Sequence, residues 1–333
     1  MVRNRFLTAC DEGLVALPPG GRVTLLRAPG DWPLAGLEAA QVSVVHTFFP
    51  EVVRWQARGL AVTPGPAAAD LAVVVTPRSR ALARALVAQA AEAAPVVVVD
   101  GQRTDGVDTL WRETRARLGE MPVVTMGHGR LFVARPGDRL ADWAMGPPQM
   151  GADGFHTLPG VFSEGRIDPG SRALAEALPD ALPAHMADLG AGWGYLSQAV
   201  LARDGVESVA LIEAESLALD CARLNVADSR ATFHWADALT FHPDRLFDGI
   251  VMNPPFHHGR AADPALGQAF IRAARDMLAP DGQLWMVSNR HLPYQDALDA
   301  AFRQVERIEP KSGGFALHHA ALPRRPAKRE RRR

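Results

Sequence analysis

Residues 188–194 read Asp188-Leu189-Gly190-Ala191-Gly192-Trp193-Gly194, followed by Tyr195. The short apolar run from Met186 to Leu189 has strand character, and the three alternating glycines after it open a helix-length stretch, Tyr195 to Arg203. Glycine lets a ligand approach the backbone, and the first turn of a helix offers N–H groups that have no intrahelical partner. A dinucleotide fingerprint needs a small third residue for close helix–strand packing, and the large Tyr195 stands there, so a nicotinamide cofactor is disfavoured.

Outward from this turn, short β-branched or apolar runs alternate with helix-length segments, the signature of βαβ units and a mainly parallel sheet. The strands are Met186 to Leu189, Ser208 to Glu213, Thr232 to Trp235, Phe247 to Met252 and Gln283 to Ser288. Helices near Tyr195 to Arg203, Ser216 to Val226 and Pro264 to Leu278 lie between them; in the last, Leu266, Phe270, Ala273 and Met277 recur at helical spacing and predict a face packed on the sheet. The Pro/Gly-rich stretch Met145 to Gly154 reads as a boundary. Before it, the chain aligns on the second half as a worn repeat. Gly21 to Pro33 falls on Ala184 to Leu196, Val42 to Gly59 on Val209 to Val226, and Ala69 to Arg78 on Phe247 to Phe256. Leu25 then stands for Asp188, Arg27 for Gly190, Pro29 for Gly192, His46 for Glu213 and Val75 for Asn253, so the first half lacks each chemical group.

Composition narrows the class. The 333 residues suffice for two domains, and 47% hydrophobic with 22% charged residues excludes disordered and fibrous chains. Cys10 and Cys221 show no metal-ligand or disulfide spacing, and no apolar run is long enough for a signal peptide or a membrane span, which points to a reducing cytoplasm. The net charge of −1 hides an asymmetry: residues 323–333 carry seven Arg or Lys against Glu330 alone, while the rest carries 29 basic and 36 acidic residues. This is a basic tail on an acidic body, read either as a solvated terminus or as a nucleic-acid arm.

After the fourth strand comes Asn253-Pro254-Pro255-Phe256-His257-His258-Gly259. Prolines stiffen the backbone, remove donors and leave carbonyls free to accept. An amino group held by the Asn253 side-chain oxygen and the Pro254 carbonyl would turn its lone pair toward an electrophile, with Phe256 offering a stacking face to a planar base. Glu213 ends the second strand, where Rossmann-like folds place a carboxylate for ribose hydroxyls. Asp237 follows the third strand and is open to two readings, a ligand acceptor or a cap. The histidine pairs His257/His258 and His318/His319 lack carboxylate or thiolate partners at ligand spacing, so no metal is expected.

The glycine turn resembles motif I of the class I S-adenosylmethionine-dependent methyltransferases, and Asn-Pro-Pro-Phe-His-x-Gly narrows the resemblance to the ribosomal RNA guanine-N2 methyltransferases of the small-subunit type. The flanks agree: Leu158-Pro159-Gly160-Val161-Phe162-Ser163 with Ile167-Asp168-Pro169-Gly170-Ser171, then Asn289-Arg290-His291-Leu292-Pro293-Tyr294, with Lys311 and Phe315 near the end. The resemblance implies an α/β fold of two tandem Rossmann-like methyltransferase-type domains, the first degenerate and the second a mainly parallel seven-stranded sheet. It assigns residues 1–150 to the degenerate unit, without cofactor and serving packing or RNA positioning, 151–322 to the catalytic unit and 323–333 to the basic tail. It implies S-adenosylmethionine held by Phe162, Asp188, Gly190, Gly192, Gly194, Glu213, Asp237 and Asn253, the last three groups of this set nearest the adenosine and the acceptor. Chemistry falls to Asn253, Pro254, Pro255 and Phe256, with ribosomal RNA or the small ribosomal subunit as partner and no membrane. A protein glutamine amide or an adenine N6 is the alternative acceptor, and an inactive RNA-binding or assembly module the alternative class.

Overall fold

The computed structural model describes residues 4–16, 19–34, 36–255, 257–258, 261–262, 264–309 and 314–325. The chain divides into two compact units, Met1–Pro147 and Pro148–Arg333, three residues ahead of the boundary expected at 150/151. Within the Pro/Gly-rich stretch, Gln149–Met150 pairs antiparallel with His156–Thr157.

The first unit contains helices α1 (Arg5–Asp11), α2 (Phe49–Ala57), α3 (Arg80–Ala93) and α4 (Val107–Leu118) and strands β1 (Val23–Leu26), β2 (Val42–Val45), β3 (Ala61–Thr63), β4 (Leu71–Val75), β5 (Val96–Gln102), β6 (Val123–Met126) and β7 (Gly129–Ala134). They form one sheet in the order β3-β2-β1-β4-β5-β7-β6. The second unit contains β8 (His185–Leu189), β9 (Ser208–Glu213), β10 (Ala231–Trp235), β11 (Phe247–Met252), β12 (Leu278–Asn289), β13 (Phe302–Ile308) and β14 (Phe315–Pro323), ordered β10-β9-β8-β11-β12-β14-β13. The two orders are the same permutation. The register agrees as well: β1 pairs Val23 with Val42 and Leu71, and β8 pairs Met186 with Val209 and Gly249, the three correspondences that the sequence alignment gives.

In the second unit the central strands are parallel and buried on both faces, which is why they read as continuous apolar runs. Met186, Val209, Leu211 and Val251 face one layer with α5 (Pro169–Ala177), α6 (Tyr195–Leu201) and α7 (Ser216–Asn225). The alternating Ala187, Leu189, Ile212, Ile250 and Met252 face the other, with α8 (Pro264–Met277) and α9 (Gln295–Ala301). In α8 the fully buried positions are Gly267, Phe270, Ile271, Ala274 and Met277; Leu266 and Ala273 pack at the rim of that face. β12 begins at Leu278, five residues before the expected start, because the chain re-enters the sheet as soon as α8 ends. The last strand runs through Pro323, and Arg324 and Arg325 donate to the carbonyls of Phe302 and Leu278, so the first three residues assigned to the basic tail belong to the folded unit. Residues 326–333 lie outside the described residues. No helix among the described residues is long and apolar enough to cross a membrane.

Candidate active site

At the C-terminal edge of the second sheet, β8 ends on Asp188 and Leu189 and the chain turns through Gly190, Gly192 and Gly194, with φ of 74°, 55° and 92°. All three lie in the left-handed region, which a side chain at Cβ disfavours by about 1–2 kcal/mol. Each glycine has its own surroundings. A Cβ on Gly194 would meet Val226 Cγ2 at 2.7 Å, so this residue serves helix packing, whereas beside Gly192 nothing among the described residues lies within 4 Å. Gly192 therefore borders open space that a side chain would fill.

Glu213 at the end of β9 braces this turn. Its Oε2 accepts from Gly192 N–H at 2.8 Å and its Oε1 from Glu215 N–H at 2.8 Å, and burial holds its carboxyl above the usual range. Each oxygen keeps a second lone pair for a ligand hydroxyl. Asp188 is buried, 1% exposed. Its Oδ2 accepts from Ser197 Oγ at 2.7 Å, and its Oδ1 has no partner among the described residues. Burial, reinforced by the nearby charge of Glu213 and opposed by the Ser197 hydrogen bond, pushes the Asp188 carboxyl up to about 7. An acceptor left unmatched in the interior costs about 1–3 kcal/mol, so the pairing is completed when a donor or a cation arrives.

The sign of the resulting pH dependence follows. Relative to the ordinary 3.8, the raised folded value means that the folded chain holds its proton more tightly, so the stability contributed is full below about 4 and is lost as pH rises through about 7. In thermal melts without ligand between pH 4 and pH 8, Asp188→Asn is expected to flatten the decline of the wild-type midpoint over that window. An unchanged slope would mean that Asp188 is charged and stabilised in the free chain.

Asn253 follows β11, and both hydrogens of its amide are committed: Nδ2 donates to Asp168 Oδ1 and to Ser171 Oγ, each at 2.9 Å. Pro254 is buried and Pro255 exposed; Phe256, the expected stacking residue, lies outside the described residues. Asp168 is the N-cap of α5, accepting from Ser171 N–H at 2.9 Å, with Pro169 at the first helical position. Phe162, 56% exposed, sits beside Ser163, whose φ is 52°, and the carbonyl of Phe162 accepts from Trp193 Nε1 at 2.9 Å.

These groups meet in one open cleft, where Phe162, Asp168, Ser171, Gly190, Gly192 and Asn253 share the walls with Trp193 and Tyr195. Of the expected site residues, the structure thus brings Phe162, Gly190, Gly192 and Asn253 to the cleft, with Asp188 beneath it and Glu213 behind Gly192. Asp237 is not among the residues lining that cleft; its Oδ1 accepts from Leu239 N–H at 2.9 Å in the turn after β10. Asp168 and Ser171 were missed as site residues although Asp-Pro-x-Ser is a readable helix start. Asn225 was missed too. Its Nδ2 donates to the carbonyls of Trp193 and His156, both at 2.9 Å, tying the glycine turn to the segment before α5. The clamp occurs twice in the chain: at the aligned position of the first unit, Arg58 donates to the carbonyl of Gly30, the counterpart of Trp193. Among the described residues no group of three or more His, Cys, Asp or Glu is placed to hold a metal ion.

A family model described as Methyltransferase small domain matches residues 153–318. The chain is 31% identical over 251 residues to ribosomal RNA small subunit methyltransferase C of Shewanella sp. (strain MR-4), covering 71% of this chain and 72% of that protein. The protein of the same name from Pseudomonas paraeruginosa (strain DSM 24068 / PA7) is 28% identical, and the similarity runs over 97% of this chain and 98% of that one. Among solved structures, the T. thermophilus 16S rRNA N2 G1207 methyltransferase, in complex with AdoMet and guanosine, superposes with a TM-score of 0.76 at 26% identity, over 96% of this chain and 92% of that chain.

Proposed function

Because this chain belongs to the ribosomal RNA small subunit methyltransferase C family, we propose that it transfers a methyl group from S-adenosylmethionine to the exocyclic N2 of a guanine in small-subunit ribosomal RNA. The observation that carries this reading is the meeting of Asn253 with Gly190 and Gly192 in one cleft, which sets an amine acceptor beside a ligand cradle. The cradle fits the cofactor on its own terms: open space beside Gly192, lone pairs on Glu213 for hydroxyls, and a buried unmatched oxygen on Asp188.

When bound, the cofactor would supply an electrophilic methyl carbon and leave as the neutral thioether, its methyl–sulfur bond breaking as the N–C bond forms. Asn253 Oδ1 and the Pro254 carbonyl accept the two N–H groups of the guanine amine and so turn its lone pair out of the ring plane toward the donor side. The nitrogen becomes cationic as the N–C bond forms, and its proton then leaves to solvent; no side chain has to remove it beforehand. The guanine is taken from an unpaired or flipped position, because a stacked pair cannot carry its amine to this turn. Phe256 is assigned to stacking on that base, and Asp237 to the adenine end of the cofactor.

For residues 1–150 we assign no cofactor, and a role in RNA positioning or stabilisation. The replaced positions Leu25, Arg27, Pro29, His46 and Val75 support this, as does the filling of the equivalent turn by its own helix. There Trp55 Nε1 donates to the Ala28 carbonyl at 2.8 Å, and Glu51 accepts from Gly30 N–H. The basic residues beyond Arg325, namely Lys328, Arg329, Arg331, Arg332 and Arg333, are assigned to phosphate contact and the reaction to the cytoplasm.

The test is nucleoside analysis of 16S rRNA or small subunits that lack guanine-N2 methylation, incubated with the purified chain and S-adenosylmethionine. One N2-methylguanosine per RNA is expected. Methylation of adenine N6, or of a ribosomal protein instead of RNA, would overturn the assignment.

A further inference from the structure

We infer that Asp168 and Ser171 are positioning residues that decide which end of the Asn253 amide faces the acceptor base, an inference that rests on the role given to Asn253 above. The oxygen and nitrogen ends of an asparagine amide are nearly the same size, so shape alone does not choose between them. A half-turn would present a donor where the amine needs an acceptor. An ionised carboxylate has acceptors only, so Asp168 Oδ1, at 2.9 Å, accommodates the Nδ2 end of Asn253 and repels the Oδ1 end. Ser171 Oγ, also at 2.9 Å, takes the second hydrogen. With both hydrogens committed, Oδ1 is the end left to accept.

The pinning groups are themselves held. Asp168 Oδ1 also accepts from Ser171 N–H as the N-cap of α5, and that helix buries Ala173, Leu174 and Ala175 in the sheet layer. Gly170 lies under the Phe315 ring, where an added Cβ would come within 3.1 Å of Phe315 Cε1. The start of α5 is thus wedged between its own cap and β14, and it transmits its position to an amide more than 80 residues away in sequence. Neither Asp168 nor Ser171 has to touch a reacting atom for this. They act through Asn253.

Capping and positioning separate experimentally because serine caps a helix about as well as aspartate but is shorter and does not reach Asn253. Steady-state kinetics on the full chain with ribosomal RNA, together with cofactor titration and thermal melts, are measured for Asp168→Ser, Asp168→Ala, Asp168→Asn, Ser171→Ala, Asn253→Ala and the double variant Asp168→Ser/Asn253→Ala. Asp168→Ser is expected to keep the wild-type midpoint, lose about tenfold or more in kcat, and leave RNA KM and cofactor Kd within about threefold. Asp168→Asn should recover most of the turnover, since its carboxamide oxygen accepts from Nδ2. Ser171→Ala should lose about threefold or more in kcat. The double variant should be no slower than Asn253→Ala alone, since the two residues act on one hydrogen bond to the base. Wild-type kcat in Asp168→Ser would reduce Asp168 to a cap and overturn the inference, as would losses that multiply in the double variant. Should Asp168→Ala fail to fold, Asp168→Ser and Ser171→Ala decide. Wild-type turnover in Asn253→Ala is the separate result that removes the role of Asn253 itself, and this inference with it.

Discussion

Asn253→Ala is expected to lose about 10² or more in kcat while the affinity for S-adenosylmethionine stays within a few-fold of wild type. The two quantities separate because of where the side chain sits. Its donor end is spent on Asp168 and Ser171, inside the protein, and its acceptor end serves the incoming amine, so truncation removes orientation of the acceptor and leaves the glycine cradle intact. An N–H hydrogen bond replaced by water would cost little binding, but a lone pair that is no longer aimed loses the near-attack geometry that supplies much of the rate. Single-turnover assays at saturating RNA, with calorimetric titration of the cofactor, measure both. Turnover within a few-fold of wild type would count against the mechanism, and a parallel collapse of cofactor affinity would move Asn253 from the acceptor side to the donor side.

The second large effect belongs to Gly192→Val. A Cβ there would meet no atom of the described residues within 4 Å, so no clash among them forbids the substitution, and the cost to folding is the left-handed φ of 55°, about 1–2 kcal/mol. The space that the valine enters is the wall of the cleft next to the N–H that Glu213 holds. Cofactor affinity is expected to fall by about 10² or more, with a melting midpoint lowered only by the strain. Gly192→Asn separates the two causes, since asparagine tolerates the left-handed region and still fills the space; it should melt closer to wild type and bind as poorly as valine. Binding within a few-fold of wild type in both variants would place the cofactor elsewhere. Gly194 behaves differently, because its Cβ would strike Val226 Cγ2 at 2.7 Å and the damage would appear first as lost stability.

Much of this was legible in the linear chain. Gly190, Gly192 and Gly194 were read as a turn that a ligand can approach, and their left-handed φ is what makes glycine fit there. The repeat was legible for a related reason: parallel strands buried on both faces are short apolar runs bounded by turns, so laying Val23 on Met186, Val42 on Val209 and Leu71 on Gly249 recovers the sheet register. Asp237 stays open to two readings in sequence because an aspartate after a strand suits a cap and a ligand equally; in the structure its Oδ1 accepts from Leu239 N–H in a turn with no helix after it.

The sequence by itself thus determined five strands of the second sheet and three of its helices, the glycine turn, the Asn-Pro-Pro-Phe motif and the loss of both in the first half, all of which depend on residues within a few positions of one another; the helices Pro169–Ala177 and Gln295–Ala301 and the strands Phe302–Ile308 and Phe315–Pro323 were not read. Only the tertiary structure decided that Asn253 meets Asp168 and Ser171, that Glu213 braces Gly192, that Asn225 clamps Trp193, and that one oxygen of Asp188 is left without a partner among the described residues. The physical reason is the range of the interactions. A backbone torsion or a helix cap is settled by neighbours along the chain, whereas the polarity of an amide and the charge of a buried carboxyl are settled by whichever groups the fold brings within 3 Å or so, and those arrive from segments tens of residues away.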